Sequence, residues 1–372
     1  MKKIPVRLGD RSYSIIVGRN LLSSLGRFLK PLQLGSKVLI VSNKKVAGYF
    51  LKTVSRSLAQ SGFKVSHYLL SHGNERDKSE QELLKLWQAM ARIPLDRKSA
   101  VLALGGGVVG DLAGFAASTY MRGIPFIQIP STLLAQVDSA IGGKTGIDLR
   151  AAKNMVGTFY HPRLVLADID TLRRLPLAEF QNSFSEVIKY GMIQDAGLFR
   201  LLENKLDWFL SSAAVHSFGA KQMAFLETVV WRSARIKAKV VEEDEREMKG
   251  KRMILNYGHT FAHALEGASG FKVSHGQAVA WGMILAGELA VRLGIFSPQA
   301  QIRQKSLIQK LGFRLQYTLS ARKIMSFMKR DKKVVDGKLR LILPRGIGRV
   351  EVNDKISKKQ VQKVLNQFGS KP

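Results

Sequence analysis

Cysteine is absent from the 372 residues of the sequence. Its absence excludes disulfide bonds, thiolate ligands for zinc and a cysteine nucleophile, and it fits a reducing compartment. No apolar run reaches the ~18 residues that a membrane-spanning helix needs. The N-terminal MKKIPVRLGD has two lysines but no apolar segment behind them, so it does not resemble a secretory signal. We therefore expect a cytoplasmic protein with no membrane partner.

Acidic residues are scarce, with 28 Asp and Glu against 59 Lys and Arg, a formal net charge of +31. Residues 301–372 hold 19 of these basic residues and only 4 acidic ones. A nucleic-acid-binding surface usually interleaves aromatic residues with basic ones or carries a recognisable module, and this tail has neither. We expect a solvated basic face rather than a nucleic-acid partner.

Short β-branched runs alternate with helical periodicity in the first half of the chain. The helical pattern is clearest in SEQELLKLWQAMARI (79–93), and the alternation predicts βαβ units around a mostly parallel sheet. From about residue 178 the periodicity becomes helical throughout. We predict an α/β domain at residues 1–175 and a mainly α-helical domain at 176–372. The predicted strands are KVLIVS (37–42), KVSHYLL (64–70), SAVLALGGG (99–107), FIQIPS (126–131) and LVLADI (164–169).

Two glycine-rich segments are candidates for anion binding. LGGGVVGDLAGF (104–115) follows an apolar strand and opens a predicted helix, so its backbone amides could approach a pyrophosphate. A tight turn is the alternative. DSAIGGKTGIDL (138–149) is predicted to be a loop whose glycines are flanked by Asp138 and Lys144, which would suit an anionic substrate. An ordinary surface loop explains the second segment equally well.

Histidines cluster in the second half. In LNYGHTFAHALEG (255–267), His259 and His263 lie one helical turn apart and share a face. Thr260 occupies the position where zinc proteases carry a catalytic Glu. His275 follows within 17 residues of His259 in a predicted loop running into a helix. The three histidines are either packing residues or parts of a metal or proton-transfer site.

An acidic residue that could complete such a site lies upstream. Glu186 and Lys189 of SEVIKYG are one turn apart, which indicates either a surface ion pair or a buried role. Two histidines and a Glu from another helix are a known catalytic zinc set that leaves coordination positions open.

Eight segments together resemble the 3-dehydroquinate synthase family of sugar phosphate cyclases, in order and spacing, from about residue 37 to 345. The resemblance implies a dehydroquinate synthase-like fold, with a dinucleotide-binding α/β half and a helical metal-binding half. The segments are GGGVVGDLAGFAASTYMRG, IPSTLLAQVDSAIGGKTGID, KNMVGTFYHP, SEVIKYG, DERE, LNYGHTFAHALE, SHGQAVAWGM and RDKKVVDGKLRLILP.

The resemblance also implies functional residues. A divalent metal, Zn or Co, would be held by Glu186, His259 and His275. The residues implied for NAD are Glu75, Lys78, Gly106, Gly107, Val108, Asp111, Ser131, Thr132, Asp138, Lys144 and Lys153. Those implied to contact the substrate are Arg122, Lys144, Asn154, Lys237, Arg252, Asn256, His263 and Lys332. Catalytic roles are implied for Lys144, Lys189, Lys237, Arg252, Asn256 and His263.

The implied substrate is the seven-carbon sugar acid phosphate of the shikimate pathway, converted to 3-dehydroquinate and phosphate. In the family, transient oxidation by NAD acidifies a neighbouring C–H, phosphate is eliminated, the ketone is reduced again, and an aldol step closes the ring. A homodimer is implied, because the family residue matching Arg122 reaches the neighbouring subunit. The alternatives are another sugar phosphate cyclase or a metal-dependent alcohol or glycerol dehydrogenase of the same fold. The dehydrogenases usually use Asp and three His as ligands, so Glu186 with two His fits the synthase better.

Overall fold

A computed structural model of the chain describes residues 1–149, 152–216, 218–314, 319–328, 334–335 and 338–368. The chain forms two compact units. Unit 1 comprises Met1–Leu175 and Phe218–Arg246, and unit 2 comprises Pro176–Ser217 and Glu247–Pro372. The first crossing between the units follows residue 175, and a later segment returns to unit 1. The division into domains at residue 175 stays a prediction.

Unit 1 is built on a seven-stranded sheet of order β1-β2-β9-β6-β5-β3-β4. All neighbouring strands are parallel except the β1–β2 pair, which confirms the mostly parallel sheet predicted from the alternating pattern. The five predicted strands are present, but the first two strands of the sheet were not predicted. The strands are β1 (Lys2–Val6), β2 (Tyr13–Gly18), β3 (Lys37–Asn43), β4 (Lys64–Leu70), β5 (Ala100–Gly105), β6 (Phe126–Pro130) and β9 (Leu164–Asp168).

Helices cover both faces of this sheet, so its central strands bury successive residues on opposite sides. In β3, Leu39 and Val41 belong to one hydrophobic cluster, while Val38 and Ile40 belong to the other. Burial on both faces explains why these strands read as continuous apolar runs. The helices of unit 1 are α1 (Leu25–Leu29), α2 (Lys44–Ala59), α3 (Glu80–Arg92), α4 (Gly107–Thr119) and α7 (Ala220–Glu243).

The segment predicted as one glycine-rich loop at 138–149 is a turn followed by a strand. Gly142 and Gly143 have φ values of 101° and 69°, which favour glycine, and they end the turn. Strand β7 (Lys144–Leu149) follows at once and pairs with β8 (Ala152–Phe159) in an antiparallel hairpin. The loop prediction was therefore wrong beyond residue 143, because the glycines mask the short strand that follows them.

Unit 2 is mainly α-helical, as predicted. Helix α5 packs against α6 and α9, and α8 packs against α9 and α11. Across the described parts of the chain, no helix is long and apolar enough to cross a membrane. The helices are α5 (Leu177–Ile193), α6 (Ala196–Ala214), α8 (His259–Ala268), α9 (His275–Arg292), α10 (Pro298–Gln309), α11 (Ala321–Met328) and α12 (Lys358–Phe368). The short strands are β10 (Val334–Val335), β11 (Lys338–Leu339), β12 (Leu341–Gly346) and β13 (Arg349–Asn353).

Candidate active site

Three helices of unit 2 bring Glu186, His259 and His275 together. Glu186 lies in the middle of α5, whereas His259 and His275 are the first residues of α8 and α9. The Nε2 atoms of His259 and His275 lie 3.3 and 3.2 Å from Glu186 Oε1, and one ligand atom from each residue lies within 4.8 Å of the others. The side chain of Glu186 is fully buried. The predicted ligand set is therefore assembled in space.

Each imidazole is oriented by a hydrogen bond from its other nitrogen. His259 Nδ1 donates to the carbonyl of Tyr257 at 3.1 Å, and His275 Nδ1 donates to Glu266 Oε1 at 3.2 Å. With Nδ1 engaged in this way, both Nε2 atoms can coordinate a metal. Zinc ligands at tetrahedral angles lie about 3.3 Å apart, given Zn–N and Zn–O distances of about 2.0–2.1 Å. The observed separations fit a divalent metal of this kind.

Close helix contacts at glycines make this arrangement possible. A Cβ on Gly276, next to His275, would lie 2.4 Å from the backbone of Asn182, one turn before Glu186 on α5. A Cβ on Gly282 would lie 2.0 Å from the carbonyl oxygen of Gly258, the residue before His259. Any side chain at these positions would force the helices, and the predicted ligands they carry, apart.

The protonation states of Glu186 and His259 at neutral pH suit metal binding. Burial alone would raise the pKa of Glu186, but the ammonium of Lys189 and the adjacent imidazoles hold it well below its usual range. Burial lowers the pKa of His259 to about 4, so its imidazole is neutral at pH 7. Burial also opposes charge on His275, yet its hydrogen bonds with Glu186 and Glu266 raise its pKa to about 9. A divalent ion would displace that proton.

The position of Lys189 decides whether Glu186 and Lys189 of SEVIKYG form a surface ion pair or a buried one. Its ammonium forms an ion pair with Glu186 Oε2, and both side chains are buried, so the pair is not a surface salt bridge. Removing either partner would leave an uncompensated charge in the interior.

Other predicted residues of unit 2 lie on the same segment as His259. His263 is exposed, and its ring meets that of His259 edge-on with centroids 5.6 Å apart. Arg252 is buried, and its Nε lies 3.3 Å from Glu247 Oε1. Asn256 is half-buried at the end of a 3₁₀ turn. Lys332 lies outside the described residues.

The first glycine-rich segment of unit 1 forms a strand–turn–helix, as predicted. Gly106 is the N-cap of α4, and no side chain caps the helix. A Cβ on Gly106 would lie 3.2 Å from Thr132, and one on Gly107 would lie 3.0 Å from Ser139 Oγ. The first turn of α4, which includes Val108, therefore keeps N–H groups without a side-chain cap, the arrangement that suits a phosphate group.

A polar cluster contains several residues predicted for the cofactor. The buried Lys78 ammonium lies 2.8 Å from Asp111 Oδ2 and 4.0 Å from Asp148, and it donates to the side chain of Asn154. Burial raises the pKa of Asp111, although Lys78 opposes that rise. The same carboxylate helps raise the pKa of Lys78 despite its burial. The lysine therefore stays charged at neutral pH.

The remaining predicted residues of unit 1 include two further ion pairs, and one member of each, Glu75 and Lys237, acts electrostatically on Asp111. At the surface, Lys153 forms an ion pair with Glu75 at 3.4 Å. Lys237 of α7 forms an ion pair with Asp138 of the π-helical turn Ala135–Ser139. The other predicted residues are buried Ser131, exposed Lys144 and exposed Arg122, whose φ of 68° is unusual for a residue with a side chain.

Three residues that contact or neighbour predicted residues, one in unit 2 and two in unit 1, were not predicted. Glu266 continues the i, i+4, i+7 face of His259 and His263, so helical spacing could have identified it. Asp148 alternates with Gly146 and Lys144 along β7 and gave no motif signal. Ser139 Oγ is buried beside Gly107 without a hydrogen-bond partner in the described structure.

Comparison with protein families matches most of the chain to two models. Residues 68–182 match the model described as 3-dehydroquinate synthase N-terminal, and residues 183–334 match 3-dehydroquinate synthase C-terminal. The chain is 43% identical over 370 residues to 3-dehydroquinate synthase of Crocosphaera subtropica, covering 98% of each protein. It is 44% identical over 370 residues to that of Desulforamulus reducens, covering 99% of this chain and 100% of the relative.

Solved structures with the same fold include two cyclases. A 2-epi-5-epi-valiolone synthase from Streptomyces hygroscopicus with NAD⁺ and Zn²⁺ bound has a TM-score of 0.86 at 26% identity, over 97% of this chain and 98% of that one. A 2-deoxy-scyllo-inosose synthase complexed with carbaglucose-6-phosphate, NAD⁺ and Co²⁺ has a TM-score of 0.84 at 25% identity, over 99% and 100%. A glycerol dehydrogenase from Schizosaccharomyces pombe, at 16% identity and a TM-score of 0.66 over 96% and 88%, shares the fold.

Proposed function

The chain belongs to the 3-dehydroquinate synthase family, and from that membership we propose how its own residues carry out the family's reaction. It is an enzyme that converts 3-deoxy-D-arabino-heptulosonate 7-phosphate to 3-dehydroquinate and phosphate in the shikimate pathway. The observation that carries the proposal is the Glu186–His259–His275 set. Its three donors come from three helices, and three protein ligands leave a coordination position for substrate.

The two bound groups have separate tasks. When bound, NAD would take up and return one hydride, and a divalent Zn or Co ion would polarise the substrate oxygens at the carbon that is oxidised. Glu186, His259 and His275 hold the ion. Lys189 keeps the Glu186 carboxylate ionised, and the backbone carbonyl of Tyr257 keeps His259 in the tautomer that presents Nε2.

The substrate carries a carboxylate and a phosphate, and the chain supplies cations for both. Ammonium and guanidinium groups hold these anions and stabilise the charge that develops on the departing phosphate. His263 would move a proton at that stage, and its exposed position one turn from His259 supports this role. The residues proposed to surround the substrate are Lys144, Asn154, Lys189, Lys237, Arg252, Asn256 and Lys332.

The cofactor would bind along unit 1. The N–H groups at the start of α4 suit its pyrophosphate, because Gly106 and Gly107 carry no side chain in the way. Thr132 lies against Gly106, and the Lys78–Asp111 pair offers a charged donor and an acceptor for hydroxyl groups. The further contacts that belong to this proposal are Glu75, Val108, Ser131, Asp138, Lys144 and Lys153.

The same proposal includes the organisation of the protein. We propose a cofactor domain at residues 1–175 and a metal domain at 176–372. The glycine-rich turn lies in unit 1, the proposed metal ligands lie in unit 2, and the chain first passes between the units after residue 175, although Phe218–Arg246 belongs to unit 1. A cytoplasmic location stays a prediction from the sequence.

We also propose a homodimer in which Arg122 serves the partner's phosphate site. Arg122 is exposed at a strained turn, and the next residue, Gly123, lies against Tyr160 at the end of the β7–β8 hairpin. That hairpin exposes Met155 and Phe159, large apolar side chains that a second copy could cover.

The shared site can be tested by mixing an Arg122→Ala chain with a Lys144→Ala chain. The mixture should recover some activity, because one site of the mixed dimer would contain both an intact Lys144 and the partner's intact Arg122. No recovery in a mixture that demonstrably exchanges subunits would contradict a shared site.

The decisive experiment separates the synthase from a dehydrogenase of the same fold. Substrate is supplied in large excess over NAD, and phosphate release is followed together with the absorbance of reduced nicotinamide. The hydride returns to the substrate in the synthase reaction, so many phosphates should appear per NAD with no steady rise in NADH. A parallel reaction with a metal chelator should release little phosphate. One NADH per turnover without phosphate release would instead favour the dehydrogenase.

A further inference from the structure

The two histidine ligands differ in what fixes their second nitrogen. His259 Nδ1 donates to a neutral backbone carbonyl, that of Tyr257, at 3.1 Å. His275 Nδ1 donates to a carboxylate oxygen, Glu266 Oε1, at 3.2 Å. A carboxylate acceptor is charged and is carried by a side chain that can be substituted, whereas the backbone carbonyl cannot be removed by mutation. The contrast makes the contribution of Glu266 measurable.

Glu266 lies on helix α8 and bonds to a predicted ligand, His275, on helix α9. It lies on α8, seven residues after His259 and therefore on the same face, while His275 begins α9. Its side chain is 17% exposed, and that of His275 is 40% exposed. Without Glu266 the His275 imidazole would be able to rotate toward solvent, because its ring is the less buried of the two imidazoles.

We propose that Glu266 is a positioning residue that sets metal affinity through His275. The inference rests on the metal site of the proposed function and adds a residue to it. The carboxylate holds the imidazole with Nε2 directed at the metal position beside Glu186, and its negative charge makes that nitrogen a stronger donor to the metal. Glu266 itself does not touch the metal or the substrate.

The test compares the affinities of purified, metal-free protein for Zn²⁺ and Co²⁺, measured by competition with a chelating indicator. Glu266→Ala should weaken binding about 10- to 100-fold, the range seen when such outer partners are removed. Glu266→Gln keeps an oxygen acceptor but loses the charge, so its loss should be smaller. Unfolding of the metal-free variants should occur near the wild-type temperature, since a partly exposed pair adds little stability.

Glu288→Gln is the matched control. Glu288 lies on α9, 13 residues after His275, about 20 Å along the helix, and it bonds to Gln301. The same loss of charge there should leave metal affinity unchanged.

Each outcome decides the proposal. Wild-type affinity in Glu266→Ala, or an equal loss in Glu288→Gln, would overturn the role of Glu266. A wild-type protein that binds neither ion would overturn the metal site as well, which distinguishes the two failures. If Glu266→Ala does not fold, Glu266→Gln decides the question. Wild-type metal affinity in Glu266→Gln would overturn the proposed role of the Glu266 charge. Weaker metal binding in Glu266→Gln, with unchanged binding in Glu288→Gln, would support that role.

Discussion

The two histidines proposed as metal ligands in unit 2 and the glycine-rich turn of unit 1 all lie at the N-termini of helices. His259 and His275 are the first residues of α8 and α9, and Gly107 is the first residue of α4. The partial positive charge at a helix N-terminus favours an anion and disfavours a cation. At α4 nothing opposes that preference, because neither Gly106 nor Gly107 carries a side chain.

At α8 and α9 the preference is reversed by carboxylates. Glu186 lies between the two imidazoles, and Glu266 backs one of them, so negative charge surrounds a position that the helix ends alone would make unfavourable for a metal. Under the proposed function, the same helical feature would therefore serve opposite charges in the two units. In unit 2 the site consists of side chains, whereas in unit 1 it consists of backbone, and single substitutions should affect them differently.

The largest effect is expected from Glu186→Ala, which tests whether side chains make the site of unit 2. The change removes a ligand and leaves the buried Lys189 without its partner. Bound metal should fall well below one per chain, and turnover should drop by about 10³-fold or more, the equivalent of about 4 kcal/mol. Metal analysis and phosphate release measure the two losses. His259→Ala and His275→Ala should behave alike.

His263→Ala is the control for that prediction, because this residue shares α8 with a ligand but is not itself one. It should keep its metal and lose rate. Full metal occupancy in Glu186→Ala, His259→Ala and His275→Ala would contradict the assignment of these three residues as metal ligands.

A second test asks whether unit 2 also depends on close backbone contact. Gly276→Ala would place a Cβ 2.4 Å from the backbone of Asn182, so α9 must move away from α5. We expect a loss of about 2–3 kcal/mol in the free energy of unfolding and weaker metal binding. Thermal unfolding and metal titration would record both. Gly48→Ala provides a control of opposite sign, because nothing lies within 4 Å of its Cβ and a helical alanine should stabilise by about 0.5–1 kcal/mol.

Gly107→Ala applies the same change to unit 1. The new Cβ would lie 3.0 Å from Ser139 Oγ and cover the first turn of α4. The dissociation constant for NAD should rise about tenfold, or about 1.4 kcal/mol, while metal affinity is unchanged. Calorimetric titration with NAD compares the variant with wild type. An unaltered NAD constant would show that the cofactor does not use this turn.

The smallest effect concerns a carboxylate of unit 1 that serves neither site. Hydrogen bonds and charge from Arg11 lower the pKa of Glu245, with burial opposing. A lowered pKa in the folded state contributes stability above the unfolded pKa, about 4.3, and loses it as pH falls through the folded value. Glu245→Gln should thus be slightly less stable than wild type at about pH 6, and the difference should become smaller as pH falls to about 3. Urea unfolding at both values measures it. A difference that persists in acid would contradict this account.

Local patterns predicted much of the fold. The five strands at 37–42, 64–70, 99–107, 126–131 and 164–169 are present because each is a short apolar run bounded by turn residues. Strands β1 and β2 gave weaker signals: β1 is five residues with a Pro and alternates exposed and buried positions at the sheet edge. Strand β7 was hidden by the glycines in front of it.

The sequence by itself determined the ligand types and their local spacing. Two imidazoles one turn apart, a third 16 residues after the first, and a Glu–Lys pair follow from residue order and helical period alone. Only the tertiary structure decided that Glu186 meets His259 and His275, that Lys189 is buried with it, and that Glu266 backs His275. Residue order reports which side chains share a helix face, whereas contacts between helices depend on packing at Gly258, Gly276 and Gly282, where the absence of a side chain lets backbones touch.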